Sequence, residues 1–167
     1  LKNSDIKIDV CVGFPLGATT PQTKISETVE AINNGANEID FVINIGALKS
    51  GYTAFVEREI IAVVKSAGNI PVKVILETSY LTNEEKILVC KMALNAGASF
   101  VKTCTGFGLS GATVEDVKLL KSTVGNAIGV KAAGGIRSYS DVIAMIQAGA
   151  NRIGTSAGVN IIHEVQE

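Results

Sequence analysis

Hydrophobic and polar positions follow two different periods along the chain. Short β-branched runs such as IKIDVCVGF and PVKVILET end in polar or glycine-rich residues, and this pattern predicts buried strands. Between them lie longer segments such as TAFVEREIIAVVKSAG, whose apolar residues recur at helical spacing. The pattern predicts six strands alternating with five helices. Such alternation is typical of parallel strands joined by right-handed crossover helices.

The chain also contains an internal repeat. The junctions NNGANEIDFV, NAGASFVKT and QAGANRIGT are closely similar. Three lysines, Lys73, Lys102 and Lys131, recur 29 residues apart, and each follows a valine in a predicted strand. Because one βα unit is about 30 residues long, the repeat favours a chain built from successive βα units. Thr82 and Glu85 have the spacing of a capping box at a helix start.

Two architectures fit such repeats, an open doubly wound sheet and a TIM (β/α)8 barrel. Every predicted strand ends in a polar or glycine-rich segment, as in GFPLGATT, ETSYLT and AAGGIRS. TIM barrels gather their active sites at the carboxyl ends of the strands, so this pattern favours the barrel. Eight units need about 200 to 250 residues. We therefore expect residues 1–167 to form a single, partial TIM-barrel domain with six of the eight βα units.

Composition narrows the classes of function. The 167 residues carry a net charge of −1 and no basic block, which argues against a nucleic-acid partner. No apolar run reaches the roughly 18 residues of a membrane span, so no membrane association is expected. The cysteines Cys11, Cys90 and Cys104 are interpreted as reduced packing residues of a cytoplasmic protein. A single histidine, His163, disfavours a His-ligated metal and shifts acid–base chemistry to carboxylates, lysines or water.

The segment GFGLSG matches the G-x-G-x-x-G pattern of dinucleotide-binding sites. Such a site also needs an acidic residue about 20 residues further on, at the end of the next strand. That strand, IGVKAAGG, carries Lys131 and no acidic residue. We therefore interpret the glycines as part of a phosphate pocket and not as a nucleotide site.

The strand lysines require an explanation, because an unpaired charge costs several kcal/mol to bury. In one interpretation, Lys73, Lys102 and Lys131 form salt bridges at strand ends. In the other, Lys102 and Lys131 converge inside the barrel. Two ammonium groups held close together lower each other's pKa, and an amine freed of its proton can form a Schiff base with an aldehyde.

Proton transfer would require a carboxylate near these lysines. Asp40 lies within the strand EIDFVINI, where apolar residues are expected, and is predicted to be this carboxylate or a buried partner of a lysine. Glu77 and Asp9 are weaker candidates for the same surroundings.

The last two strand-to-helix loops predict a phosphate site, because these loops bind phosphate in many barrels. Tight turns required by packing are the alternative explanation. The predicted phosphate-binding residues are Gly134, Gly135, Thr155 and Ser156, with Thr105 and Gly106 as a third wall and Arg137 nearby.

The segments GFPLGATT, EIDFVINIGAL, VKVILET, FVKTCTGFG, VKAAGGIR and GTSAG resemble successive strands of the deoxyribose-phosphate aldolase family, class I aldolases with a TIM-barrel fold. The resemblance implies that Lys102 is the Schiff-base lysine and Asp40 the acid–base carboxylate. It implies that Lys131 activates Lys102 and shares in proton transfer. The implied reaction is reversible cleavage of 2-deoxy-D-ribose 5-phosphate to D-glyceraldehyde 3-phosphate and acetaldehyde, with no metal and no organic cofactor.

The chain departs from the family pattern in several places. Family members begin with two further βα units, some carry a lysine where Phe107 stands, and some carry a tyrosine-bearing tail beyond the position of Glu167. Unpaired strand edges favour pairing between copies, and a homo-oligomer, dimer or tetramer, is expected. Two alternatives remain, a sugar-phosphate isomerase of the same barrel type and an inactive truncated fragment of the aldolase.

Overall fold

The computed structural model describes residues 4–164, which contain one sheet of six parallel strands. The strands are β1 (Asp9–Val12), β2 (Glu38–Val42), β3 (Val72–Ile75), β4 (Phe100–Lys102), β5 (Gly129–Ala133) and β6 (Arg152–Gly154). Each strand pairs with the next one along the chain. The six predicted strands and their parallel arrangement are confirmed.

Helices connect the strands. They are α1 (Pro21–Asn33), α2 (Ile45–Lys49), α3 (Thr53–Ser66), α4 (Asn83–Ala96), α5 (Val114–Val124), α6 (Tyr139–Gln147) and α7 (Gly158–Glu164). The five predicted helices are confirmed, and the short helices α2 and α7 are additional. The predicted capping box at the start of α4 is also present, because Thr82 and Glu85 bond reciprocally to each other's backbone N–H groups.

Each strand has one side toward the helices and the other toward the barrel interior, as the two-residue period of a strand requires. On β2 and β3, the alternate residues Ile39, Phe41, Val72 and Val74 belong to the apolar core, which also contains Ile60 of α3. The intervening positions on the same strands carry charged side chains. The apolar core therefore lies between sheet and helices, and the charges lie inside the curve of the sheet.

The sheet curls strongly enough to bring distant strands together. Lys131 Nζ on β5 lies 2.8 Å from Asp9 Oδ2 on β1, and Arg152 Nη1 on β6 lies 2.5 Å from Glu38 Oε2 on β2. Within residues 4–164, β1 and β6 each pair with one neighbouring strand only. The fold is a partial TIM barrel of six βα units.

A buried ion pair holds α1 and α3 against the end of β2. Lys24 Nζ lies 2.8 Å from Glu59 Oε1 and donates to the carbonyl oxygen of Val42, while Glu59 Oε2 accepts from Asn44 N–H. Both charged side chains are fully buried. Burial lowers the pKa of Lys24 and raises the pKa of Glu59, and the opposite charge of each partner offsets only part of this effect. The pair fixes the carboxyl end of the strand that carries Asp40.

The cysteines differ in their environments. Cys90 and Cys104 are buried, as predicted, but Cys11 is exposed, so its prediction as a packing residue is wrong. The alternation of β1 places Val12 in the apolar core and turns Cys11 to the opposite face, on an edge strand. No helix within residues 4–164 is long and apolar enough to cross a membrane.

Candidate active site

Charged side chains converge on the inner face of the barrel. Strand register sets Asp40 beside Lys73 on β2 and β3, and Lys102 beside Lys131 on β4 and β5. The exposed fractions are 1% for Asp40, 0% for Lys73, 6% for Lys102 and 8% for Lys131. These side chains therefore interact where little water can screen their charges.

Asp40 lies between the lysines and contacts all three. Its Oδ2 atom accepts hydrogen bonds from Lys102 Nζ at 2.7 Å and Lys131 Nζ at 2.6 Å. Its Oδ1 atom lies 2.8 Å from Lys73 Nζ, an ion pair that lacks the alignment of a hydrogen bond. The salt-bridge interpretation of the lysines is therefore correct, and the same geometry brings together the three residues predicted for catalysis.

Two further carboxylates and an arginine complete the group. Asp9 Oδ2 lies 3.1 Å from Lys73 Nζ and 2.8 Å from Lys131 Nζ, and Glu38 Oε2 lies 2.7 Å from Lys73 Nζ. Sequence reasoning included Asp9 but missed Glu38 and Arg152. Glu38 is two residues before Asp40 on the same strand, and this spacing alone indicates a shared face. We call the following seven side chains the charge cluster: Asp9, Glu38, Asp40, Lys73, Lys102, Lys131 and Arg152.

The cluster shifts the protonation of its members. Burial by itself raises the pKa of Asp40, but the ammonium groups of Lys102 and Lys131 outweigh burial and hold this pKa well below its usual range. Burial lowers the pKa of Lys73, and its contacts with Asp40 and Glu38 outweigh burial and raise it above 10.5. Asp40 is therefore ionised at neutral pH, and Lys73 is a permanent cation there.

A pocket of about 400 Å³ opens at the carboxyl ends of β4, β5 and β6. Its lining contains both reactive-lysine candidates and all six predicted phosphate-binding residues, while Asp40 lies outside it. The lining residues that were predicted are Lys102, Lys131, Thr105, Gly106, Gly134, Gly135, Thr155 and Ser156, and Arg137 is also present.

The glycines of GFGLSG allow two loops of this pocket to pack closely. A Cβ atom on Gly111 would lie 2.3 Å from the carbonyl oxygen of Gly134, a distance that real Cβ atoms do not adopt. The backbone N–H of Ala112 donates to that same oxygen. Gly134 and Gly135 both have positive φ, which favours glycine. The last glycine of the G-x-G-x-x-G pattern, Gly111, thus serves the contact between the β4–α5 and β5–α6 loops, whereas Gly108 makes room for the carboxylate of Glu77.

Glu77 does not pair with the strand lysines but bonds to Thr105, which lines the same pocket as Lys102 and Lys131. It follows β3 with a left-handed backbone, φ 56°, and its buried carboxylate accepts from the N–H and the hydroxyl of Thr105. Within residues 4–164 it forms no ion pair with a lysine. The strained turn directs Glu77 along the sheet to the β4–α5 loop, so that its carboxylate holds one wall of the pocket.

Two predicted phosphate-binding hydroxyls already have protein partners. Thr105 donates to Glu77, and Thr155 donates to the carbonyl oxygen of Ile136 at 2.7 Å while accepting from Ala157 N–H. These bonds tie the pocket loops to one another. The hydroxyls of Thr105 and Thr155 and the backbone N–H of Thr105 therefore already donate to protein oxygen atoms, and none of the three is free to donate to an anion.

No group of three or more His, Cys, Asp or Glu side chains is arranged to hold a metal ion among residues 4–164.

The fold and the site define a TIM-barrel protein whose polar interior joins amines, a carboxylate and a pocket of about 400 Å³ at the carboxyl ends of its strands. A sequence profile of the DeoC/LacD family of aldolases matches residues 8–164. The chain belongs to this family.

Individual relatives agree with the family match. Deoxyribose-phosphate aldolase of Caldanaerobacter subterraneus is 60% identical, and the match covers 98% of this chain and 72% of the relative. The solved structure of QR15, an aldolase, superposes with a TM-score of 0.94 at 42% identity and covers 99% of this chain and 75% of that one. A tetrameric deoxyribose phosphate aldolase from Aeropyrum pernix gives a TM-score of 0.88 at 34% identity, with 97% and 69% coverage.

Proposed function

We propose that the chain is a class I aldolase that reversibly cleaves 2-deoxy-D-ribose 5-phosphate to D-glyceraldehyde 3-phosphate and acetaldehyde. The main observation is that Asp40 Oδ2 lies within hydrogen-bond distance of two amines that both line one pocket. The curated relative at 60% identity is named for this activity. A barrel isomerase acting on a sugar phosphate would not require two amines around one carboxylate.

In the proposed reaction, the neutral amine of Lys102 attacks the aldehyde carbon of the substrate, and loss of water gives an iminium ion. A base removes the proton of the C3 hydroxyl, the C2–C3 bond breaks, and its electron pair moves to the iminium nitrogen. D-glyceraldehyde 3-phosphate leaves, and an enamine remains on Lys102. Protonation of the enamine carbon and hydrolysis then release acetaldehyde and the free amine.

Asp40 and Lys131 are proposed to carry the protons. Asp40 is ionised at neutral pH, because the neighbouring ammonium groups hold its pKa low, and so it can accept a proton from a bound donor. Lys131 donates to Asp40 and also lines the pocket. A proton can therefore pass through Lys131 between a substrate in the pocket and the buried carboxylate of Asp40. Gly134, Gly135 and Ser156 are proposed to bind the phosphate through the two loops that end the pocket.

Reductive trapping tests this proposal. The chain is incubated with acetaldehyde and borohydride, and the modified lysine is mapped by mass spectrometry. We expect one ethyl group on Lys102, none in Lys102→Arg, and undiminished labelling in Lys86→Arg, whose lysine pairs with Asp116 outside the site. A folded wild type that gains no adduct, or gains it only elsewhere, would contradict the Schiff-base mechanism.

A coupled assay tests the substrate. Acetaldehyde released from 2-deoxy-D-ribose 5-phosphate is reduced by alcohol dehydrogenase, and the loss of NADH is followed. We expect turnover with the phosphorylated sugar and a much higher KM with unphosphorylated deoxyribose. Equal KM values would argue against the phosphate assignment.

Assembly and location are the remaining parts of the proposal. We propose a homo-oligomer, because the Aeropyrum pernix relative is described as tetrameric. We propose a cytoplasmic location from the reduced state of Cys11, Cys90 and Cys104. Light scattering coupled to size-exclusion chromatography would measure the mass, and a monomer at micromolar concentration would contradict the oligomer.

A further inference from the structure

Lys73 belongs to the charge cluster but does not line the pocket. Its Nζ atom is fully buried and lies 2.8 Å from Asp40 Oδ1, 2.7 Å from Glu38 Oε2 and 3.1 Å from Asp9 Oδ2. A substrate in the pocket meets Lys102 and Lys131 and cannot reach this ammonium group. Any influence of Lys73 on the reaction is therefore indirect, through the side chains that it contacts or through its charge.

One influence is on the orientation of Asp40. Lys73 Nζ forms an ion pair with Oδ1 of Asp40, while Oδ2 accepts hydrogen bonds from both Lys102 and Lys131. Without Lys73, the carboxylate could rotate and give each pocket lysine an oxygen of its own. Sharing one oxygen keeps the two amines close together, at a distance where two positive charges repel each other.

The second influence is on charge. The charge cluster contains three carboxylates and four cationic side chains, so the cluster carries one excess positive charge when its carboxylates are ionised and its lysines are protonated. Loss of one proton from Lys102 makes the whole cluster electrically neutral. If Lys73 were uncharged, the cluster would already be neutral with Lys102 protonated, and the nucleophile would be held as an inactive ammonium ion.

We propose that Lys73 is a positioning residue that orients Asp40 through Oδ1 and supplies the positive charge against which Lys102 becomes a neutral nucleophile. The inference rests on the proposed aldolase function. Among the described residues, the titratable and charged groups around Lys102 are those of the charge cluster, the thiol of Cys11 on β1, and Arg137, which lines the same pocket.

The test is the pH dependence of kcat/KM for cleavage of 2-deoxy-D-ribose 5-phosphate by purified wild type, Lys73→Met and Lys73→Arg. In Lys73→Met we expect the acid limb to move up by about one pH unit and kcat/KM at pH 7 to fall about tenfold. Lys73→Arg keeps the charge, so its acid limb should stay near that of the wild type. Ionisation of the substrate phosphate is common to all variants and cancels in the comparison.

Lys86→Met is the matched control, because it removes another buried ion-paired lysine, 2.6 Å from Asp116, on a helix outside the site. It should lose stability and keep the wild-type pH profile. A purely structural role for Lys73 predicts the same result for Lys73→Met, and an unshifted acid limb in that variant would overturn the inference.

Glu38→Gln should shift the acid limb of kcat/KM in the opposite direction. This variant still tests the inference if Lys73→Met does not fold. It removes one negative charge from the cluster, so the acid limb should move to lower pH; no shift, or a shift to higher pH, would overturn the inference. An active wild type with these negative results refutes only the role of Lys73. A wild type without turnover and without an adduct on Lys102 refutes the proposed function and this inference together.

Discussion

Replacing Asp40 by asparagine removes the central negative charge of the charge cluster, and we expect this variant to lose a large part of its unfolding free energy. Three ammonium groups lie within 2.6 to 2.8 Å of its carboxylate, which is 1% exposed. Removing one partner of a buried ion pair costs about 3–5 kcal/mol. Asparagine retains an acceptor oxygen, so we expect the lower end, about 3 kcal/mol, and a fall in Tm of roughly 6–12 °C.

The loss of unfolding free energy in Asp40→Asn should be greater at neutral pH than at acid pH. The pKa of Asp40 is lower in the folded state than in the unfolded chain, because the neighbouring lysines outweigh the effect of burial. Such a group stabilises the fold above its unfolded pKa, which is about 3.9, and this contribution is lost as pH falls through the folded pKa. The difference between wild type and Asp40→Asn should be largest near pH 7 and should narrow below about pH 4.

Urea unfolding followed by circular dichroism at pH 7 and pH 3 measures both quantities. Asp116→Asn is the control, since that carboxylate pairs with one lysine, Lys86, at 2.6 Å, and should cost about 1.5 kcal/mol at pH 7. A loss below about 1 kcal/mol in Asp40→Asn, or an equal loss at both pH values, would refute the account of the charge cluster.

Three further predictions follow from contacts outside the cluster. Glu77→Gln weakens the bonds that hold the β4–α5 loop, so KM for the phosphorylated substrate should rise about three- to tenfold with a smaller change in kcat; unchanged steady-state constants would argue against this role. Gly111→Ala forces a methyl group against the Gly134 carbonyl, and KM should rise about tenfold, whereas Gly46→Ala, with its nearest neighbour at 3.6 Å, should behave as wild type in the same assay. Lys24→Met leaves a buried glutamate unpaired and should cost about 3 kcal/mol in urea unfolding without altering kcat of the folded enzyme; an unchanged unfolding midpoint would contradict it.

Some of the site could be predicted because strand side chains alternate. Lysines at positions 73, 102 and 131 share one phase of three neighbouring parallel strands, so their convergence follows from the repeat once a barrel is assumed. Asp40 was predicted because a charge is unusual in an apolar strand. Glu38 has the same signal, because it is a charged residue two positions earlier in the same strand.

The direction of the Glu77 side chain could not be predicted from the alternation of strand residues. As the last polar residue after an apolar strand, it has the sequence signature of an inward-facing carboxylate. A left-handed backbone turns it instead to the β4–α5 loop. A local backbone conformation of this kind depends on what surrounds it, because a non-glycine residue adopts positive φ only when its contacts compensate for the strain.

The sequence by itself determined the order of the six strands and of the five longer helices, the parallel sheet, the lysine repeat and the chemical types that meet in the pocket. These properties are periodic or local, and each follows from residue spacing. Only the tertiary structure decided which carboxylate oxygen faces which amine, that Lys73 holds Asp40 from outside the pocket, and that Arg152 on β6 reaches Glu38 on β2. Such pairings depend on how far the sheet curls, which is set by packing along all its strands and not by any one segment.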